Sequence, residues 1–399
     1  MRAPRLAALV ALLAASCDDA ATPKPGIAQV APASVVAASV EPSALQSAAY
    51  AGSSACVECH AAEHAAWKDS DHAHALVFGA PDGALAALDA ARGAVGVNAD
   101  EIQKLWGWLG RDPLAQPLVE FPGGRYQPLP LGWDPRGARW VALDAPDEAF
   151  VGGMQPADWR SRDACANTQC LFCHTTGFAR GQRAATGAQG GKHASASDGF
   201  ASSWREASVG CEACHGPAAA HVEWQRDNGP GAARARDTQL VAPTPVDANP
   251  VDANRADANR VDPNRGDPNR GDPTLAALRT AKSAAQVDVC GACHARRAEL
   301  AEGWHAGAAL LDHFRPELPS SSAYHADGRV HGENFEWGSF RQSAMHAAGV
   351  RCSDCHEPHG AGLRAAGNAL CLRCHSDSFD APAHTRHARG STGAACGAC

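Results

Sequence analysis

The sequence predicts a mainly α chain with much irregular coil and a small β-hairpin or meander, organised around covalently bound groups more than around an apolar core. Three observations carry this expectation. A Cys-x-x-Cys-His motif recurs six times, at Cys56–Cys59–His60, Cys170–Cys173–His174, Cys211–Cys214–His215, Cys290–Cys293–His294, Cys352–Cys355–His356 and Cys371–Cys374–His375. The 39 Gly and 26 Pro are spread along 399 residues, so regular elements should be short. One stretch, 117–129, holds two strand-like runs around Pro122-Gly123-Gly124, a hairpin signal.

The motif spacing is that of covalent c-type haem attachment. Two thiols one helical turn apart add to the two vinyl groups of one haem, and the next residue offers its imidazole to the iron. Zinc sites do not demand His directly after the second Cys, and a redox dithiol belongs to a βαβ pattern missing here. His is roughly one residue in 20, so six such neighbours by chance is on the order of 10⁻⁸. A seventh pair, Cys396 and Cys399, closes the sequence where the next His would stand. The cofactor expected is therefore haem c, at six complete sites and at seven if the natural chain continues past Cys399.

Taken in order, residues 1–17 read as a lipoprotein-type signal peptide. Arg2 and Arg5 precede the apolar run Leu6–Ala15, and Ala14-Ala15-Ser16-Cys17 follows. Ala14 stands where a lipobox more usually has Leu, so two readings stay open: lipidation of Cys17, or ordinary cleavage nearby. The apolar run is too short to remain as a membrane span. Both readings predict export to the periplasm or cell surface, with a membrane anchor at Cys17 under the first.

Residues 18–50, rich in Ala, Ser, Pro and Val, read as a flexible tether. Residues 51–224 form an N-terminal module with three motifs. Within it, Ala84–Ala91 and Asp100–Trp108 are expected as short helices, with Asp100 an N-cap. Pro117–Phe121 and Arg125–Leu129 form the hairpin, and Trp140–Leu143 adds a third strand. Residues 225–273 read as a disordered insertion. Its VDANP-VDANR-ADANR-VDPNR-GDPNR-GDP pentapeptides oppose helix and sheet and have little to bury. A calcium-loop reading lacks the required Gly and ligand pattern. Residues 274–399 form a C-terminal module with three complete motifs and the truncated one.

The formal charge of −8 omits two propionates per haem, so the loaded protein is more acidic still. Nucleic-acid binding is disfavoured, and a basic electron-transfer partner is compatible with the charge.

Six of 19 His are proximal, which leaves 13 for the far side of each iron. Beyond Met1 there are only Met154 and Met345, so most irons should be held by two His and sit at low potential. The best-placed distal ligands are His72, His221, His346 and His359, then His313, His384 and His387. His359 lies too close to His356 to face the same iron. His64, His74, His193, His305, His325 and His331 are less well placed, and each distal candidate also reads as a surface His. Cys165, five residues before Cys170, reads as a buried thiol, half of a disulfide or a competitor for attachment. The 10 Trp are expected to pack on haem faces and edges.

The stretches CVECHAAEHAAWKDSDHAHAL, PLVEFPGGRYQPLPLGWD, SVGCEACHGPAAAHV, LLDHFRP, WGSFRQSAMHAAGVRCSDCHEPHGAGLRAAGNALCLRCH and PAHTRH carry a resemblance. The chain resembles exported bacterial multihaem c-type cytochromes with doubled CxxCH motifs, related to the nitrifier tetrahaem cytochrome. The resemblance implies a multihaem cytochrome c fold and ligation at the six proximal His and at His72, His221, His346 and His359. Some members continue into tetratricopeptide repeats, so the end at Cys399 is expected to be a truncation. The insertion and Cys165 depart from the family pattern.

Three functions compete. An electron carrier with closed irons would pass electrons from redox protein partners or quinol-linked donors. A multihaem oxidoreductase acting on nitrite, hydroxylamine or a sulfur oxyanion needs one open iron; the CxxCK motif some such enzymes use is missing, since Lys24, Lys68, Lys104, Lys192 and Lys282 all lie elsewhere. A haem-bearing scaffold would need a repeat domain beyond residue 399. The spare His favour the carrier.

Overall fold

The computed structural model describes residues 50–143, 158–162, 164–181, 199–229 and 285–398, less short gaps at 319, 321–323, 327–329 and 331–334. The leader, Cys17, most of the tether, the pentapeptide repeats, His193, His331 and Cys399 lie outside the described residues. The described residues fall in one compact unit, 42–399. It is partly helical with small antiparallel sheets.

Strands β1 (Leu76–Val77), β2 (Leu105–Leu109), β3 (Gln116–Phe121) and β4 (Arg125–Pro128) make a four-stranded antiparallel sheet in sequential order. The β3–β4 hairpin is the expected one, with Phe121 paired to Arg125. Gly123 and Gly124 take φ of 83° and 71°, the left-handed region that Cβ-bearing residues resist, which explains the Gly pair after Pro122.

Expectation and structure part at 100–108. The helix covers only Ala99–Ile102, and its N-cap is Asn98, not Asp100. The Asn98 side chain accepts from Glu101 N, and the Glu101 carboxylate accepts from Asn98 N, a reciprocal capping box. Leu105–Leu109 then forms strand β2, because sheet pairing on both sides outweighs local helical preference. The strand β6 (Arg139–Ala142) pairs with β5 (Leu131–Asp134) rather than joining the hairpin sheet. A backbone bridge between Ala115 and Trp133 ties the two sheets. The helix Ala84–Arg92 lies where expected.

A register shift between Leu105 and Gly107 puts Leu105 and Trp108 on one face of the sheet and Trp106 and Leu109 on the other. The first face packs Trp108 with Ala84, Ala115 and Trp133. The second packs Leu76, Leu109 and Leu118 against Ala166 and Leu171, with Cys170 at the edge. The sheet therefore seats the second Cys-x-x-Cys-His motif. Burial of each large apolar side chain contributes about 1.5–3 kcal/mol.

Five of the 10 Trp serve this core. Trp133 and Trp140 meet at 5.5 Å, Trp108 and Trp140 at 6.0 Å, and Trp106 and Trp204 at 5.6 Å.

The remaining strands are two- and three-residue pairs: β7 (Thr175–Thr176) with β8 (Glu206–Ala207), β9 (Arg297–Glu299) with β10 (Phe314–Pro316), and β11 (His356–Glu357) with β12 (Gly362–Leu363). The helix Ala219–Asn228 runs on past 224 into the segment expected as insertion. Among the described residues no helix is long and apolar enough to cross a membrane.

Candidate haem-attachment sites

Each complete motif folds into a single tight turn, and the turn has the same cause throughout. The backbone N–H of His60, His174 and His375 reaches the carbonyl of the first Cys at 2.9, 3.1 and 3.0 Å, which brings both thiols to one side. The third motif is the helix Cys211–His215, the fourth ends the helix 285–294, and the fifth is the helix Cys352–Cys355. All 14 described Cys, Cys165 included, are free thiols.

The first and third motifs are fastened together. Buried Glu212 accepts from Ala51 N at 2.9 Å, Gly52 N at 2.8 Å and Ala218 N at 2.7 Å. Ser53 Oγ accepts from Cys211 N at 3.0 Å and donates to Glu206 at 2.8 Å. The Cys56 and Cys211 thiols hydrogen-bond each other, which raises Cys56 and lowers Cys211 to about 6. Burial pushes the Cys214 thiol up to about 11.

The second and fourth motifs meet in the same way. The Cys173 and Cys293 thiols hydrogen-bond, and Cys173 Sγ also lies 3.9 Å from the Cys293 carbonyl. Arg297 sets its guanidinium 4.7 Å from the Phe172 ring centroid and 3.9 Å from Cys173 Sγ. Around the fourth motif, Ala292, Leu310 and Phe314 are buried beneath Phe172, Trp304 and Trp337. Trp337 donates to the Val287 carbonyl at 3.1 Å, and its indole occupies the space a Cβ at Gly291 would need.

Cys290 and Cys352 join the fourth and fifth motifs through a thiol hydrogen bond, and Ser353 N donates to Gln286 at 3.1 Å. Cys371 hydrogen-bonds Cys396 of the terminal pair, whose backbone N donates to Asn368 at 2.8 Å. Glu212, Gln286 and Asn368 are fastening residues that carry no sequence signal of their own. Apart from Ala218, their partners lie far along the chain.

The His fall into distinct postures. His72 stands 6.2 Å from His294, centroid to centroid, with ring planes at 66°. His359 stands 6.5 Å from His215 with planes at 12°. Burial lowers the pKa of His72 against the opposing hydrogen bond to the Pro358 carbonyl, which favours the neutral ring that binds metals. His174 Nδ1 lies 2.6 Å from the Ala75 carbonyl, so Nδ1 carries the proton and Nε2 is free. His313 and His305 hold Nδ1 against the Ala301 and Ala306 carbonyls at 3.2 and 3.0 Å.

Other ring nitrogens are engaged. His346 Nε2 accepts from Arg341 at 3.1 Å, and His74 Nε2 accepts from Arg111 at 3.0 Å, because guanidinium can only donate. His221 is half-buried on the helix Ala219–Asn228, and His384 and His387 are exposed. Buried Cys165 caps the helix Ala166–Gln169 beside Thr168 at 3.4 Å.

The residues fit c-type haem. Metal–nitrogen bonds of about 2 Å on each side of an iron set two axial imidazole centroids roughly 6 Å apart, the spacing of the two His pairs. Among the described residues no group of three or more His, Cys, Asp or Glu forms a bare metal-ion site.

Comparison with known proteins follows the same line. The family model for the doubled CXXCH motif matches residues 345–379, and that for cytochrome c554 and c-prime matches residues 55–92. With the six motifs, these matches define the chain as a multihaem c-type cytochrome. It is similar to the outer cell wall cytochrome OcwA, with a TM-score of 0.47, 15% identity and coverage of 82% of this chain and 68% of that one. It is also similar to an undecahaem cytochrome from the S-layer of Carboxydothermus ferrireducens, with a TM-score of 0.36, 17% identity and coverage of 82% and 43%. No curated protein matches the chain.

Proposed function

We infer that the protein is an electron carrier whose irons are closed by His on both sides. The observation that carries this reading is the pair of facing imidazoles, His72 with His294 and His215 with His359. Haem bound at each motif supplies a one-electron ferric–ferrous couple. The thiols of each Cys pair would hold it covalently, and His60, His174, His215, His294, His356 and His375 would ligate from the near side. His72 and His359 would close two far sides. Closed sites leave no position for a substrate, and two-His ligation keeps potentials low.

The leader reading supports export, with Cys17 as lipid anchor in the periplasm or at the cell surface. The donors fitting this chemistry are reduced redox proteins or quinol-linked donors, with an oxidised redox protein as acceptor.

Carbon monoxide added to the reduced holoprotein is the test. The expected result is an almost unchanged visible spectrum. Binding by a large fraction of the haem would overturn the carrier reading.

A further inference from the structure

We propose that the fourth attachment site, Cys290–Cys293–His294, is a branch point of the electron path, adjoined by the second, third and fifth sites. The inference rests on haem attachment as read above and deepens it, since a row of motifs in sequence does not say which sites touch.

The second site reaches the fourth directly. Cys173 Sγ lies 3.9 Å from the Cys293 carbonyl, and Phe172 packs into the cluster of Ala292, Leu310 and Phe314. The fifth site reaches it on another side. The Cys352 thiol touches that of Cys290, and Gln286 accepts from Ser353 N at 3.1 Å. The third site approaches as well: Val209 N, two residues before Cys211, donates to the carbonyl of His72 at 3.0 Å, and the His72 ring stands 6.2 Å from that of His294. Haems held by thiols this close would be near neighbours.

The other contacts extend these into arms. The first site joins the third through Cys56 and Cys211. The sixth site joins the terminal pair, where Cys396 N donates to Asn368 at 2.8 Å. His72 belongs to the segment just after the first motif yet faces His294 at the junction. An electron entering from a reduced protein or quinol-linked donor at one arm leaves to an oxidised protein partner at another. Iron alternates between ferric and ferrous, and no covalent bond changes.

The test uses the full-length holoprotein. His72→Met marks the fourth site, because Met in place of His raises the potential of that iron and makes it reduce first. Electron paramagnetic resonance during a redox titration then counts the oxidised neighbours whose signals change. Three are expected; two or fewer would overturn the branch point. If the variant does not accumulate, iron positions in a crystal of the wild-type holoprotein give the same count, read by the same criterion. Mass analysis of the peptide 285–299 separates the two claims. Absence of haem there would overturn the attachment reading, whereas haem with fewer than three neighbours overturns the branch point alone.

Discussion

The imidazoles of His215 and His359 lie parallel, 12° apart in plane and 6.5 Å between centroids, although one ends the third motif and the other follows the fifth. This is the separation two axial ligands need around one iron. His359→Ala should therefore convert about one haem per chain from low to high spin. His359→Met should keep it low-spin and raise its potential. Electron paramagnetic resonance and a redox titration read both; an unchanged spin state in the alanine variant would show that His359 is not a ligand.

Glu101 and Arg160 give the fold a pH dependence. Burial alone would raise the Glu101 carboxyl, but hydrogen bonds from Arg160 and Asn98 outweigh it and leave the pKa below its ordinary value. A lowered folded-state value means that the pair stabilises the fold above the unfolded Glu range. That contribution is lost as pH falls through the folded-state value. Glu101→Gln should cost about 1–3 kcal/mol at neutral pH. Urea midpoints of the two proteins should converge in acid, and a constant gap would contradict the assignment.

Leu118 is fully buried between the sheet and the second motif. Leu118→Ala should destabilise by about 2–5 kcal/mol through lost burial and the cavity left behind. Leu318, 80% exposed, serves as the control, and its alanine variant should stay within about 0.5 kcal/mol of wild type. Denaturation midpoints decide the comparison.

Glu212 holds three backbone N–H groups, those of Ala51, Gly52 and Ala218. Glu212→Ala leaves these donors without their acceptor, at about 1–3 kcal/mol for each that stays buried. Proteolysis near residue 50 should accelerate in this variant. Glu212→Gln keeps one acceptor oxygen and should fall between the two.

Gly291 sits under the Trp337 indole with no room for a Cβ. Gly291→Ala should cost about 1–3 kcal/mol by overpacking. The loss should appear locally, as reduced haem content in peptide 285–299 with the other attachment peptides unaffected.

The β3–β4 hairpin was legible because a Pro-Gly-Gly turn and its flanking runs are local signals. Strand β2 was not: Asp100–Trp108 carries a plausible helical pattern, and only pairing to Leu76–Val77 on one side and Gln116–Phe121 on the other turns Leu105–Leu109 into a strand. The same division holds for the site. Six Cys-x-x-Cys-His motifs are readable along the chain because thioether attachment needs two Cys one turn apart and a neighbouring His. His72 and His359 stand out as spare histidines, but their partners do not.

By itself, the sequence determined where the six Cys-x-x-Cys-His motifs lie and that histidines abound beyond them, since both depend on residues near one another or on composition. Tertiary structure decided that His72 faces His294, that His359 faces His215 and that the fourth motif has several neighbours. The physical reason is that an iron's second ligand, like a contact between two motifs, is chosen by whichever side chain the folded backbone brings within a few ångströms, from anywhere in the chain.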